Sequence, residues 1–200
     1  MGLTTSIELT DQDLKELQTV TGCKAFSRSV SFHQIKRLYS RFSTLDKKHQ
    51  GYLTREDFLR IPELAINPLC ERIVDMFFSE AQNNRDEVPG VNFKTFATTL
   101  AVFKPMSRRN PIRNTKESKI KFIFDIYDTS NHGYITRDDL YNILRMLVGE
   151  SLQQESLGTV VDHVYNDADI NHDGKISLSE FAKLMENSGI EEKLSITFLK

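Results

Sequence analysis

Between residues 169 and 180 an oxygen donor recurs at nearly every second position. Asp169, Asn171 and Asp173 stand first, third and fifth, Ser177 ninth and Glu180 twelfth, with the backbone carbonyl of Lys175 at the seventh. A hard dication such as Ca2+ takes six to eight oxygens, and a twelve-residue loop of this spacing delivers them from positions 1, 3, 5, 7, 9 and 12. The carboxylates offset the ion's charge, and a glutamate at the last position can offer both oxygens. Gly174, sixth in the window, permits the sharp turn that wraps the chain around the ion. The expectation is one high-affinity calcium site.

Three further windows repeat the plan less completely, and the repeating unit of helix, loop and helix is that of an EF-hand. In the third window Asp128 and Ser130 fill positions 1 and 3, Gly133 position 6, and Tyr134 offers its carbonyl at 7. His132, however, stands at 5 and Asp139 at 12. Imidazole is a poor ligand for an oxygen-seeking cation, and aspartate is one methylene shorter than glutamate, reaching with one oxygen. A weak calcium site, a magnesium-like one, or none is expected there. The first window opens on Asp46 but places Lys48 at 3, Gln50 at 5 and Asp57 at 12, and a lysine opposes a bound cation. The second, from about Asn84 to Thr95, has Val88, Pro89 and Gly90 at positions 5 to 7. Neither is expected to bind metal. All four keep an aliphatic residue at position 8, namely Leu53, Val91, Ile135 and Ile176, which predicts short β-bridges between paired loops.

Helices must hold these loops, and the apolar spacing supplies them. Thr10 caps a helix carrying Leu14 and Leu17 that ends at Gly22. Ser31 and Gln34 make a capping-box pattern ahead of Ile35, Leu38, Phe42 and Leu45. Asn67-Pro68 starts a helix with Leu69, Ile73, Met76 and Phe77 on one side. Phe93, Phe96, Leu100 and Phe103 form another face, followed by Ile120, Phe124 and Tyr127, and by Leu140, Ile143, Leu144 and Leu147. Leu157, Val160, Val161 and Val164, then Phe181, Leu184 and Met185, complete the set. The predicted architecture is all-α: four EF-hands in two lobes. An N-terminal signal and helix take 1–30, an N-lobe with two degenerate hands 31–103, a linker 104–117, a C-lobe with hands three and four 118–188, and a tail 189–200.

The 200 residues are 39% apolar and 27% charged, with a net charge of −2, which gives no field for nucleic acid. Cys23 and Cys70 are far apart without ligand spacing, so reduced thiols are expected. His33, His49, His132, His163 and His172 are scattered outside any nucleophile pattern, and no enzyme is predicted. Met1-Gly2-Leu3-Thr4-Thr5-Ser6 matches the N-myristoylation pattern at Gly2. One acyl chain attaches only reversibly, so a second anchor is needed. Lys104, Arg108, Arg109, Arg113, Lys116, Lys119 and Lys121 face only Glu117 across the linker and could touch anionic lipid, although a solvated loop is the favoured reading.

The chain resembles the calcineurin B homologous proteins over nearly its whole length. The match is carried by Thr21-Gly22, Leu38-Tyr39-Ser40-Arg41-Phe42, Leu45-Asp46, Arg55-Glu56-Asp57-Phe58, the run from Arg60 to Leu69, Leu144-Arg145-Met146, Val148-Gly149, and the end from Lys193 to Leu199. Calcineurin B itself, the regulatory subunit of that phosphatase, shares part of this, but its four loops all look competent. The two degenerate N-terminal hands place the chain nearer the homologous proteins. The resemblance implies myristoylation at Gly2 and a non-catalytic regulatory subunit. It would hold an amphipathic juxtamembrane helix of a plasma-membrane sodium/proton exchanger, in the cytoplasm and at the membrane surface, with nuclear shuttling allowed. Service to, or inhibition of, the calcineurin catalytic subunit is the alternative. His132 and Asp139 depart from the family's third loop and put two-site binding in question. An EF-hand lobe can offer an apolar groove to such a helix. The candidate lining is Leu38, Phe42, Phe77, Phe96, Phe103, Phe124, Leu144, Leu147 and Phe181, with the segment Ile190 to Leu199 as a cover or neighbour of the groove.

Overall fold

Helices do begin and end where the loops require, and the reason lies in residues that serve twice. The computed structural model describes residues 28–85, 88–103, 115–151 and 153–186. Among these, α1 spans Arg28–Leu45, β1 Tyr52–Leu53, α2 Arg55–Leu59, α3 Pro62–Ala65, α4 Cys70–Asn83, β2 Val91–Asn92, α5 Phe93–Leu100, α6 Lys116–Tyr127, α7 Arg137–Val148, α8 Gln154–Ala168 and α9 Leu178–Met185. Residue 9 of each loop is the N-cap of the helix that leaves it. Thr136 and Ser177 accept from the amides of Asp139 and Glu180, and those acids reach back to close a capping box. Asn92 accepts from the Thr95 amide in the same register. Such a cap is worth about 1 kcal/mol, so each exit helix starts at the residue that also closes its loop.

The four loops meet in pairs through their aliphatic eighth positions. Leu53 pairs antiparallel with Val91, and Tyr52 with Asn92. Ile135 and Ile176 form an isolated bridge, exchanging N–H···O bonds of 2.9 and 3.0 Å. Gly90 is set by closeness, since a Cβ there would meet the Leu53 carbonyl oxygen and the Tyr52 ring at 2.6 Å.

Each pair of hands closes over its own core. Phe42, Phe58, Phe77 and Phe96 are buried in the first, with Phe58 and Phe77 ring centroids 4.8 Å apart. Phe124, Leu140, Val161 and Phe181 fill the second, with Phe124 edge-on to Phe181 at 5.7 Å. Burying each such side chain contributes about 1.5–3 kcal/mol. A third cluster of Met76, Ile126 and Ile143 joins the lobes, and Phe103 meets Phe122 beside it at 4.9 Å.

Three boundaries differ from expectation. The first described helix already runs at Arg28, so Ser31 lies inside it and is not its cap. The helix expected from Asn67-Pro68 begins at Cys70, because the Asn67 side-chain oxygen first accepts from the Leu69 amide at 2.9 Å and holds a turn. The 104–117 linker ends early, since Thr115 caps α6 through the Ser118 amide. That helix also carries three of the seven linker bases: Lys116 donates to the Glu186 carbonyl, Lys119 is fully buried and so turned from any lipid, and Lys121 is paired with Asp125 at the surface. Lys104, Arg108, Arg109, Arg113, Gly2, the helix read from Thr10 to Gly22, Cys23 and the segment Ile190 to Leu199 lie outside the described residues. Cys70 is a buried free thiol, whose pKa burial pushes up. No helix among the described residues is long and apolar enough to cross a membrane.

Candidate metal centre

Loop 4 is built between the C-terminus of α8 and the N-terminus of α9. Its fourth and sixth residues, His172 and Gly174, take positive φ, 55° and 75°. That pair of turns bends the chain so that the donors face one another. Asp169, the C-cap of α8, accepts from the Asp173 amide at 3.2 Å and the Gly174 amide at 2.9 Å. Asn171 accepts from the Asp173 amide at 2.9 Å and donates to the Asp173 carboxylate at 3.2 Å. Glu180 reaches across from α9: one oxygen accepts from the Asn171 amide at 3.3 Å, and the other from the Ser177 amide and hydroxyl at 2.9 and 2.6 Å. The Ser177 hydroxyl and amide hold the Glu180 carboxyl below its usual range.

Positions 1, 3, 5, 9 and 12 are thus linked in one chain of hydrogen bonds, largely through backbone N–H groups. Among the described residues no three His, Cys, Asp or Glu side chains stand gathered as a ready cage. The loop's own N–H groups hold these acids. The donor set is oxygen throughout: three carboxylates, the Asn171 amide, the Ser177 hydroxyl and the Lys175 carbonyl. It fits a hard dication. One contributor had no signal in the ligand pattern. The Tyr165 hydroxyl, one turn before the loop, donates to the Gly174 carbonyl at 2.8 Å and pins the turn. Burial, with Asp169 and Asp173 nearby, raises that phenol's pKa.

Loop 3 has the same backbone, with Asn131 and Gly133 at φ 54° and 82°, and different chemistry. Asp128 accepts from the His132 and Gly133 amides at 3.0 and 2.7 Å. Asp139 is 1% exposed, and its carboxylate is already saturated. One oxygen takes the Thr129 hydroxyl and the Ser130 hydroxyl and amide; the other takes the Thr136 amide and hydroxyl. Burial opposes its charge, but the hydroxyls of Thr129, Thr136 and Ser130 outweigh it and hold the carboxyl below the usual range. Ser130, expected to be a ligand at position 3, is therefore turned to Asp139. His132 does not face the centre with an oxygen; its ring stacks on Tyr134 at 5.5 Å, and Lys175 of loop 4 lies 4.6 Å from the other ring's centroid. Tyr134 still presents a backbone carbonyl, as any residue at that position would.

Loops 1 and 2 present other partners at position 12. In loop 1, Asp46 accepts from the Gln50 and Gly51 amides, while the position-12 acid, Asp57, is held by the Arg60 guanidinium at 2.6 Å. The other Asp57 oxygen takes the Thr54 amide and hydroxyl, at 2.9 and 2.7 Å. In loop 2, Asn84 at position 1 donates directly to the Thr95 hydroxyl at position 12, at 3.1 Å.

The comparisons agree with this architecture. A family model described as an EF-hand domain pair matches residues 117–186. The type 2 calcineurin B protein of Dictyostelium discoideum is 39% identical over 92% of this chain and 92% of its own length. The calcineurin B protein of Naegleria gruberi is 36% identical over 98% and 99%, and the type 1 calcineurin B protein of D. discoideum 41% over 85% and 88%. The chain belongs to the calcineurin B-like family. It is accordingly a calcium-binding EF-hand protein in type. The order of the two functional readings reverses, because these relatives carry the calcineurin name over both lobes.

The expected groove of this calcineurin B-like chain does not lie open. Phe42, Phe77, Phe96, Phe103, Phe124 and Phe181 are all buried, and Leu38 and Leu144 are half-buried in the lobe cores. Only Leu147 of the nine is exposed, at 43%, beside Met146. Phe42, Phe77 and Phe96 pack ring against ring in the first lobe and Phe124 against Phe181 in the second, while Phe103 meets Phe122 between them, which helical spacing alone does not distinguish from a groove wall.

Proposed function

We propose that this chain is a non-catalytic regulatory subunit of the calcineurin B type, holding one calcium ion at loop 4 and gripping an amphipathic helix of a calcineurin-type catalytic subunit. What supports it is the all-oxygen donor set of Asp169, Asn171, Asp173, Ser177 and Glu180 on one hydrogen-bonded loop, in a chain whose calcineurin B relatives match it nearly end to end. Asp169, Asp173 and Glu180 would supply carboxylate oxygens, Asn171 its amide oxygen, Lys175 its carbonyl, and Ser177 its hydroxyl through water. Bound calcium supplies the positive charge that lets the acids converge. The chain's own part is to fix α8 against α9 and, through the Ile135–Ile176 bridge, to brace loop 3. On this reading calcium is mainly structural, because a single good site lacks the paired cooperativity of a steep switch.

A second reading, service to a sodium/proton exchanger's juxtamembrane helix, is favoured by one observation: the last positions of loops 1 and 2 are engaged by Arg60 and Asn84. Gly2 acylation, with cytoplasmic and peripheral membrane residence, accompanies either reading. The test is a binding assay of the full chain against two synthetic helices, one from a calcineurin catalytic subunit and one from an exchanger. Tighter binding of the first, weakened by chelator, is expected. At least tenfold preference for the exchanger helix would reverse the assignment.

A further inference from the structure

Arg72 belongs to α4, the entering helix of the second hand, yet its guanidinium reaches into the other lobe. Nη2 donates to the carbonyls of Asp125 and Asp128 at 2.9 and 2.8 Å, and Nε to that of Ile126 at 3.1 Å. These are the last carbonyls of α6 and that of the first residue of loop 3. A helix leaves such groups without intrahelical donors, and its dipole makes them a partial negative pole. The planar guanidinium fork suits three acceptors lying side by side, where an ammonium would act as a point charge.

The arginine is held as a part of the fold. Its side chain is only 11% exposed, with Asp75 at 3.7 Å as counter-charge. Asp75 is gripped in turn by Arg55, the first residue of α2, at 2.6 Å. Met76, Ile126 and Ile143 pack beside it together with Leu69 and Ile73. A buried guanidinium has few alternative partners, so this contact selects one placement of α4 against α6.

We propose that Arg72 is a positioning residue of the third hand supplied by the second: it caps α6 and holds the carbonyl of Asp128, so the metal-free lobe shapes loop 3 from outside. The N-lobe's loss of metal ligands then leaves it a function within the molecule. This role requires neither an ion in loop 3 nor a particular partner.

The test is amide hydrogen exchange by NMR on the full, metal-free chain, comparing wild type with Arg72→Met, Arg72→Lys and Arg55→Met. Loss of charge-assisted hydrogen bonds should speed exchange at Asp128, Thr129 and Asn131 about tenfold or more in Arg72→Met. Amides of α5 and α9 should change by less than about twofold, because local opening need not spread. Arg72→Lys should restore part of the protection, and Arg55→Met nearly all of it. Unchanged exchange at 128–131 in Arg72→Met would overturn the proposal, as would equal acceleration across both lobes. Should Arg72→Met fail to fold, Arg72→Lys decides: acceleration confined to the α6–loop 3 junction supports the proposal, and its absence refutes it.

Discussion

At the scale of single residues, the four loops differ in what occupies the position-12 side chain. Glu180 is held by N–H groups and one serine hydroxyl, Asp139 by three hydroxyls, Asp57 by a guanidinium, and Thr95 by the first residue of its own loop. Calorimetry should therefore find one tight calcium per chain, and Glu180→Gln should weaken it to roughly millimolar. The double variant His132→Asp with Asp139→Glu should add a second site, since it replaces the ring at position 5 and lengthens the acid beyond the reach of Thr129. A stoichiometry still at one would mean that Thr129 and Ser130, more than chain length, keep loop 3 closed. Asp57 carries a pH prediction. Burial opposes its ionisation, but Thr54 and Arg60 outweigh that and depress the folded carboxyl below its ordinary value of 3.8. Its contribution to stability is complete above that ordinary value and is lost as the pH falls through the folded one, because the unfolded chain takes up the proton first. Asp57→Asn should thus flatten the fall in metal-free stability between about pH 4 and lower values, as read by denaturant titration. Lys48 and Pro89 argue against metal in loops 1 and 2 from the sequence itself. The side-chain partners found at position 12 were not legible there, since Arg60 lies outside the loop pattern and only the folded backbone brings Asn84 to Thr95.

At the scale of elements, the loop and the helix after it share residues, so that cap and ligand chemistry cannot be separated in loops 3 and 4. Loop 2 separates them, because its twelfth residue, Thr95, carries no carboxylate. Asn92 accepts from the Thr95 amide and starts α5, whose Phe93 and Phe96 lie in the core. Asn92→Ala should cost about 1 kcal/mol in metal-free stability and leave calcium affinity unchanged. A larger loss would show that Asn92 also maintains the β1–β2 bridge. Most helix positions and both bridges were readable, because an apolar period of 3.6 and an aliphatic eighth residue are local signals. The starts of α1 and α4 were not, because Ser31 fits a cap and Asn67-Pro68 a helix start as well as the turn that Asn67 makes. The phenylalanine faces were found, and the fold adds what packs on them. Periodicity reports that Phe42, Phe77, Phe96, Phe124 and Phe181 point to one side of their helices, and only the fold reveals a neighbouring ring already there.

At the scale of the whole molecule, the two lobes share the Met76, Ile126 and Ile143 cluster and the Arg72 bonds. None of this was visible in sequence, where Arg72 reads as an ordinary helix charge and the lobes as beads on a linker. A ligand that binds only the folded chain stabilises it by RT ln(1 + [L]/Kd), about 4 kcal/mol at a thousandfold excess over Kd. For a chain of this size each kcal/mol moves the midpoint by about 2–4 °C. Thermal unfolding in excess calcium should therefore lie roughly 8–16 °C above that in chelator. Glu180→Gln should erase most of this gain. Lys48→Asp should leave it as it is, because Asp57 remains bound to Arg60 and the first loop still offers no open acid at its end. A rise in calcium stoichiometry on Lys48→Asp would mean that the lysine, and not the arginine, keeps that loop empty. The N-lobe would then be a suppressed calcium lobe, one charge reversal from use, in place of a lobe whose ion has been replaced by its own side chains.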